Sequence, residues 1–491
     1  MIVLWTSLFL LLFSALAIAL HKLWWTPYRI QRTMASQGIR GPPYKLFYGN
    51  TREILQFKNE ASSRPLNLSH DVFPRVQPHI STWTGTYEPE LIKEVLNNKD
   101  KAFPKPEMDG FVKKLLGDGL VTTEGEKWAK QRKLANYAFH GDSLKGMLPA
   151  MVDSVHMMLD RWKNLHGDEI EVYQEFTILT SEIISRTAFG SSYVEGRNIF
   201  EMLRKLTLIA SRNAFKIRLP GISKLWKTND ELESEKLENG IRDAMLEIIR
   251  KREEKVKAGE LDDLGNDFLG LLVKASHSDD ESRRITITDL VDECKTFYIA
   301  GHETSNTMLT WTVFLLAIHP DWQDEARKEV LNVFGNQDPD PDGIAKLKTM
   351  GMIINESLRL YPPVVGLIRK VATKTRLGKL VLPANMRLYI PNLKLHHNPQ
   401  IWGDDAQLFK PERFSEGVAK ATNNNLAAFF PFGLGPRTCV GFNFATAEAK
   451  IALSMILQRY TFSLSPAYVH SPTQLLTTSP QHGLQVIFHA L

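Results

Sequence analysis

Cysteine is scarce in this chain, which has only two in 491 residues, Cys294 and Cys439. Two cysteines cannot form a disulfide framework, a four-cysteine zinc site or an iron–sulfur cluster held by four thiolates. The scarcity predicts that the catalytic part faces a reducing compartment. A strong charge imbalance is also missing. Sixty Lys and Arg against 55 Asp and Glu give a net charge of +5, which does not indicate nucleic-acid binding.

Several catalytic motifs are missing as well. The sequence contains no GxSxG nucleophile elbow, no P-loop and no dinucleotide-binding fingerprint, which leaves the enzyme classes built on those motifs without support. His302-Glu303 begins like the zinc-protease motif HExxH, but position 306 is Asn where the second histidine is needed. The side chains of the adjacent His396 and His397 point to opposite faces in a strand and diverge in a helix, so the pair does not favour a metal site.

The first twenty residues contain no charged side chain. As a helix rising ~1.5 Å per residue they span ~30 Å, the thickness of a bilayer core. A cleaved signal peptide is the alternative, with small residues at 15–19 as its cleavage site, but its basic amino-terminal region is missing and the apolar run is too long. Basic residues follow directly, including Lys22, Arg29 and Arg32. This order predicts a single-pass anchor with the bulk of the protein on the cytoplasmic side.

Helical periodicity dominates the rest of the chain. Apolar residues return at intervals of three and four in seven segments, residues 90–96, 125–137, 148–165, 171–189, 200–210, 229–258 and 321–333. Strand-like stretches are short and late, at 377–382, 387–389 and 485–488. The pattern predicts an anchor at 1–21, a basic, proline-containing hinge at 22–50 and one catalytic domain at 51–491, which is mainly α with small β-sheets.

One predicted helix, at 288–318, is much longer than the others. Thr286 and Asp289 form a capping-box pattern at its start, and Pro320 ends it. Because its second half is apolar on most faces, the helix is predicted to run through the centre of the globule.

The second cysteine lies in a constrained stretch, PFGLGPRTCVG at residues 431–441. Its glycines permit a tight turn, and a predicted helix over 442–459 has a dipole that favours an anion at Cys439. A thiolate protected in this way is a strong iron ligand, and Arg437 is suited to bind a carboxylate of a bound cofactor. The alternative is a buried structural cysteine in a glycine-rich turn.

The stretch Phe432-x-x-Gly435-x-Arg437-x-Cys439-x-Gly441 resembles the haem-binding signature of the cytochrome P450 superfamily at all five defining positions. The resemblance implies the cytochrome P450 fold and haem b as cofactor. It makes Cys439 the axial ligand of the haem iron and places the other four residues in the cofactor site.

The stretch AGHETS at residues 300–305, inside the long helix, resembles the oxygen-activating segment of that family. The resemblance implies that small residues leave room for dioxygen, that the Thr304 hydroxyl hydrogen-bonds it, and that Glu303 relays protons. The alternative for Thr304 is a helical threonine that bonds back to the carbonyl four residues earlier.

Two further motifs resemble family features. Trp128-x-x-x-Arg132, together with Arg369 in LIRKV, implies contacts to the haem propionates. The neighbouring Lys127, Lys130 and Lys133 are interpreted as a solvated basic face of the same helix. Such a face also suits the docking of an acidic electron donor.

Glu356-x-x-Arg359 places a carboxylate and a guanidinium on one helix face, where they can pair. With Arg413 in the PERF stretch, this pair resembles the Glu-Arg-Arg network of the family. The resemblance implies a structural role for all three residues.

The stretches GIRGPPY near the anchor, AGHETS, LRLYPPV and FPFGLGPRTCVGFNFA resemble those of a plant clan of the family that oxidises terpenoids, steroid and other hormones, and fatty acids. This resemblance implies a monooxygenase in the endoplasmic reticulum membrane, monomeric, that inserts one oxygen atom of dioxygen into an apolar small molecule. The resemblance also implies that electrons come from NADPH through a separate NADPH–cytochrome P450 reductase. Expected substrate-facing residues are Phe297, Val364, Val365, Leu367 and Thr477. Two alternatives stay open: a haem-thiolate isomerase or dehydratase acting on a peroxide, and a non-catalytic or truncated inactive form.

The chain departs from the family between Pro78 and Pro89. About ten residues lie there, where the resemblance implies roughly thirty and a pair of short strands. That amino-terminal strand pair is therefore expected to be truncated.

Overall fold

The computed structural model describes residues 2–45, 48–83, 89–99, 101–108, 110–163, 169–216, 227–281 and 283–491. The helices are α1 (Ile2–Leu20), α2 (Thr26–Ala35), α3 (Thr51–Ser62), α4 (Phe73–Val76), α5 (Pro78–Trp83), α6 (Pro89–Asn97), α7 (Gly110–Leu116), α8 (Gly125–Phe139), α9 (Gly141–Trp162), α10 (Val172–Phe189), α11 (Tyr193–Asn213), α12 (Asn229–Lys257), α13 (Phe268–Ser276), α14 (Ile287–Ile318), α15 (Pro320–Phe334), α16 (Pro341–Lys346), α17 (Lys348–Leu360), α18 (Asn392–His396), α19 (Pro399–Trp402), α20 (Val418–Ala421) and α21 (Phe442–Leu457). The strands are β1 (Glu169–Glu171), β2 (Leu367–Lys370), β3 (Thr375–Leu377), β4 (Leu380–Leu382), β5 (Arg387–Ile390), β6 (Tyr460–Leu464), β7 (Pro472–Gln474), β8 (Thr478–Pro480) and β9 (Gln485–Ala490). Each predicted helical segment overlaps an observed helix.

The strands form small antiparallel sheets. One sheet has the order β1-β9-β6, and the others are the pairs β2-β5, β3-β4 and β7-β8. The predicted single strand at 377–382 is wrong, because the chain reverses there and forms the β3-β4 hairpin. Gly378 has a φ of 56° at that reversal, a left-handed conformation that glycine adopts without strain.

The long helix α14 confirms the prediction for 288–318. The Thr286 side chain accepts from the Asp289 N–H, and the Asp289 side chain accepts from the Thr286 N–H. Every residue from 305 to 316 is buried in the main core. At Gly301 a Cβ atom would lie 2.6 Å from the Ile184 side chain. Glycine therefore permits α10 to pack closely against the middle of α14.

The helix after the cysteine loop, α21, begins at Phe442, three residues beyond Cys439. It is buried on nearly all faces because α9, α14 and α15 pack around it. Even Glu448 is fully buried, where its carboxylate accepts a hydrogen bond of 2.5 Å from Ser305. Burial raises the pKa of Glu448 to about 8.

The amino-terminal helices form one stretch, since a π-helical turn at His21–Trp25 joins α1 to α2. In the described residues, Val3–Ala35 is long and apolar enough to cross a membrane. The first part of the predicted hinge is therefore helical. Gln37, two residues after the end of α2, attaches this helical stretch to the globule. Its side chain donates to the Val381 carbonyl at 2.9 Å and accepts from the Val381 N–H at 2.6 Å.

The region that departs from the family contains α5, which ends at Trp83, and α6, which starts at Pro89. Residues 84–88 lie outside the described part. Among the described residues before Glu169 no strand forms; the truncation of the strand pair stays a prediction. The β2-β5 sheet has two strands among the described residues.

Candidate active site

A cavity lies between the cysteine loop and the middle of α14. It contains about 1400 Å³ of space free of protein atoms, part of it open to solvent. Its wall is formed by loop residues 431–434 and 437–441, by four basic side chains (Lys105, Arg132, Arg369 and Arg437), and by apolar side chains that include Leu120, Val121, Ile184, Phe297, Met308, Val364 and Leu367. The fold thus brings the cysteine loop, the predicted basic residues and part of the AGHETS stretch to one place.

The cysteine loop presents its sulfur to this cavity. The Cys439 N–H donates to the Phe432 carbonyl at 2.8 Å, which closes the loop. The side chain of Cys439 is exposed to the cavity. Burial raises the pKa of its thiol, whereas the Gly441 N–H and the charge of Arg132 lower it. Cys294, in contrast, is buried in the main core away from the cavity.

The glycines of the loop contribute in different ways. Gly435 has a φ of 76°, and a Cβ atom there would lie 2.7 Å from the Leu96 carbonyl oxygen. Its role is close packing of the loop against α6, and it does not line the cavity. Gly441 does line the cavity beside the sulfur.

Arg437 has one unsatisfied donor. Its Nη2 donates to the Thr123 carbonyl at 2.8 Å and pairs with Glu124 at 2.5 Å. The guanidinium lies 4.2 Å from the ring centroid of Trp128. Its Nη1 is buried without a hydrogen-bond partner. A buried donor left unpaired is costly, so this atom is available for an acceptor in the cavity.

The other basic residues surround the same part of the cavity. Arg132 donates to the Thr438 carbonyl at 2.5 Å, so it supports the cysteine loop directly. Arg369 is 4% exposed and donates to the Ile368 carbonyl at 2.9 Å. Burial and the charges of Arg437 and Arg369 lower the pKa of Lys105 to about 7.

The AGHETS stretch divides between the cavity and the core. Ala300, Gly301, Thr304 and Ser305 line the cavity. The Thr304 hydroxyl donates to the Ala300 carbonyl at 2.8 Å, which is the backbone bond foreseen as the alternative. Its oxygen retains lone pairs that can accept a second hydrogen bond. Glu303 is absent from the cavity wall, and its carboxylate accepts from the Thr477 hydroxyl at 3.2 Å.

Of the expected substrate-facing residues, Phe297, Val364 and Leu367 line the cavity. Val365 and Thr477 do not, and both are 2% exposed.

The predicted structural network is present with an additional member. Arg359 binds both carboxylate oxygens of Glu356, each at 2.7 Å, and both residues are fully buried. Arg413 approaches Glu356 only to 3.5 Å and pairs with Asp405 at 2.6 Å. Asp405 was not predicted from the sequence.

Comparison with known proteins agrees with this geometry. The cytochrome P450 family profile matches residues 40–488. A cytochrome P450 from Panax ginseng is 59% identical in an alignment that covers 96% of this chain and 94% of that protein. The chain belongs to the cytochrome P450 family. It is also 44% identical to an 11-oxo-beta-amyrin 30-oxidase from Glycyrrhiza uralensis (96% of this chain and 94% of that protein) and 41% identical to a 7-deoxyloganic acid hydroxylase from Catharanthus roseus (96% and 95%).

As a cytochrome P450, the chain is an oxidoreductase of the monooxygenase type, and its family binds haem b. The residues of this cavity fit that cofactor, which carries a flat apolar ring, a metal and two carboxylates. The sulfur of Cys439 faces the cavity. The unpaired Arg437 donor, beside Arg369 and Lys105, suits carboxylates.

This fit predicts that Arg437→Gln weakens haem retention in the cytochrome P450. Loss of a charge-assisted hydrogen bond should speed haem release by about tenfold. Transfer of haem to apomyoglobin, followed by absorbance, measures the rate. Glu124→Gln is the matched control because it removes the carboxylate that pairs with Arg437 but keeps the cation. Release from Glu124→Gln should be no faster than from the wild type, and an unchanged rate in Arg437→Gln would contradict the assignment.

Lys105 and most of the apolar wall were not identified from the sequence. Lys105 lies between Pro104 and Pro106, in a segment with no periodic pattern. Only the tertiary fold brings it beside Arg369 and Arg437.

Proposed function

We propose that the protein oxidises an apolar small molecule of terpenoid, steroid or fatty-acid type, with electrons from NADPH through a separate NADPH–cytochrome P450 reductase. The observation that carries this proposal is one cavity that contains the cysteine sulfur, a basic cluster and a largely apolar wall. The relatives named for oxidation of a beta-amyrin derivative and hydroxylation of 7-deoxyloganic acid support the terpenoid class.

The chain's own residues have distinct tasks in this mechanism. Bound haem supplies the redox chemistry that activates dioxygen. Cys439 would hold the iron, and Arg437, Arg369 and Lys105 would hold the carboxylates of the cofactor. The apolar wall binds the substrate and excludes water. Thr304 offers its hydroxyl oxygen to the cavity. Burial raises the pKa of the neighbouring Glu303 carboxyl, which favours its protonated form and suits it to transfer a proton.

We also propose that the protein is monomeric and anchored in the endoplasmic reticulum membrane with its catalytic domain in the cytoplasm. The apolar helix and the basic residues that follow it support this orientation. For the reductase, the exposed Lys133 on α8 suits an acidic partner. Lys127 on the same helix is already paired with Asp289 at 2.5 Å.

The proposed activity is tested by substrate binding and turnover. Terpenoids, steroids and fatty acids are added to the ferric protein, and an absorbance shift identifies those that enter the cavity. Products are then measured with reductase and NADPH. We expect turnover to require both. Conversion of a peroxide substrate without NADPH and reductase would instead establish an isomerase or dehydratase.

A further inference from the structure

The carboxylate of Glu303 is held by a residue far away in the sequence. Thr477 lies in the turn between β7 and β8, and its hydroxyl donates to Glu303 Oε1 at 3.2 Å. Thr307, one helical turn after Glu303, donates to the Thr477 hydroxyl at 2.9 Å. Thr477 therefore occupies the centre of a short hydrogen-bonded chain on α14 and does not contact the cavity.

The hairpin that carries Thr477 is fixed on two sides. Trp311 Nε1 donates to the Thr478 carbonyl at 2.7 Å, which attaches the hairpin to α14. The Thr478 hydroxyl donates to the Pro362 carbonyl at 2.8 Å, next to the segment that includes Val364 of the cavity wall. Because the backbone beside Thr477 is held in this way, its hydroxyl has a defined position relative to Glu303.

The neighbours of Glu303 make the hydrogen bond from the Thr477 hydroxyl important for the ionisation of this carboxyl. Burial raises the pKa of Glu303, and the Thr477 hydroxyl lowers it. His302 Nε2 lies 3.8 Å from Glu303 Oε2, but burial lowers the pKa of His302 to about 4, so it is neutral at neutral pH. Tyr173 on α10 is close enough to feel the carboxylate, since burial and the charge of Glu303 raise the pKa of Tyr173 above the usual value. Thr477 is thus the group that favours the ionised carboxylate among these neighbours.

We propose that Thr477 is a positioning residue that orients the Glu303 carboxyl, next to the cavity-lining Thr304, and thereby controls proton supply to the cavity. The inference rests on the proposed monooxygenase function. Without the hydroxyl, the carboxyl is free to rotate and is protonated over a wider pH range. When protons are delivered without this control, dioxygen is reduced by two electrons from NADPH and leaves with two protons as hydrogen peroxide. Less product then forms for each NADPH consumed.

The test compares Thr477→Val, Thr477→Ser and Thr478→Val. The last is a matched control, since it removes the neighbouring buried hydroxyl, which binds a carbonyl instead of Glu303. We expect Thr477→Val to lower the ratio of product to NADPH by about threefold to tenfold, with a matching rise in hydrogen peroxide. Thr477→Ser should restore the ratio, and Thr478→Val should not lower it.

A second readout does not depend on turnover. The carboxyl stretch of Glu303, assigned by its loss in Glu303→Gln, is followed by infrared spectroscopy against pH. In Thr477→Val the titration should move to higher pH, because the donor that favours the ionised form is gone. An unchanged ratio in Thr477→Val, or an equal loss in Thr478→Val, would overturn the proposal. If the wild type forms no NADPH-dependent product, the proposed function fails, while the infrared titration still tests the contact.

Discussion

Replacing Cys439 with alanine is expected to abolish the absorption band of the thiolate-ligated haem in the reduced, carbon monoxide-treated protein. Only this cysteine presents its sulfur to the cavity, and a methyl group cannot bind iron. Haem content, measured separately, should fall as well, because the strongest of the predicted contacts is lost. Loss of the band to baseline is the expected result.

Two further variants make this result interpretable. Cys439→Ser has nearly the shape of the wild type, so it should fold and still lack the thiolate band. Cys294→Ala removes the other thiol from the core, at a cost of about 1 kcal/mol in stability, and should keep the band. A thiolate band in Cys439→Ala, or its loss from folded Cys294→Ala, would show that the ligand assignment is wrong.

The parts of the site that are contiguous in sequence were predictable. The spacing around Cys439 and the AGHETS stretch each describe one local backbone segment, so the sequence locates both segments, although Glu303 and Gly435 lie outside the cavity wall. The capping box of α14 is equally local, since Thr286 and Asp289 are three residues apart.

The parts that depend on tertiary placement were not predictable. Thr477 meets Glu303 from 174 residues away, and Lys105 joins Arg369 and Arg437 only after folding. Likewise, Arg413 forms its shorter ion pair with Asp405, whereas the motif predicted a pair with Glu356. None of these contacts has a periodicity or a fixed spacing, so no pattern along the chain indicates them.

Replacing Arg359 with methionine is expected to prevent accumulation of folded, haem-containing protein. Its guanidinium binds both oxygens of Glu356 and also donates to the carbonyls of His396 at 2.9 Å and Ala406 at 2.7 Å. Removal leaves the fully buried carboxylate with Arg413, 3.5 Å away, as its remaining cation among the described residues. It also leaves the carbonyls of His396, Ala406 and Leu408 facing an apolar side chain. Breaking a buried pair in this way costs about 3–5 kcal/mol, a large part of the ~5–15 kcal/mol that stabilises a typical domain.

The same substitution at two other arginines distinguishes the effect of breaking the buried Arg359–Glu356 pair from the effect of losing any positive charge. Arg413→Met should be milder, at about 1–2 kcal/mol, because its side chain is 14% exposed and its Nε makes no hydrogen bond to Glu356. Arg161→Met removes a surface pair with Glu175 from a side chain that is 41% exposed and should cost less than about 1 kcal/mol. Yield of thiolate-ligated protein and survival of its band on heating rank the three variants. Arg359 connects the Glu356 carboxylate to the backbone on both sides of α19. Equal survival of the band in Arg359→Met and Arg413→Met would therefore mean that this connection does not determine the stability of the core.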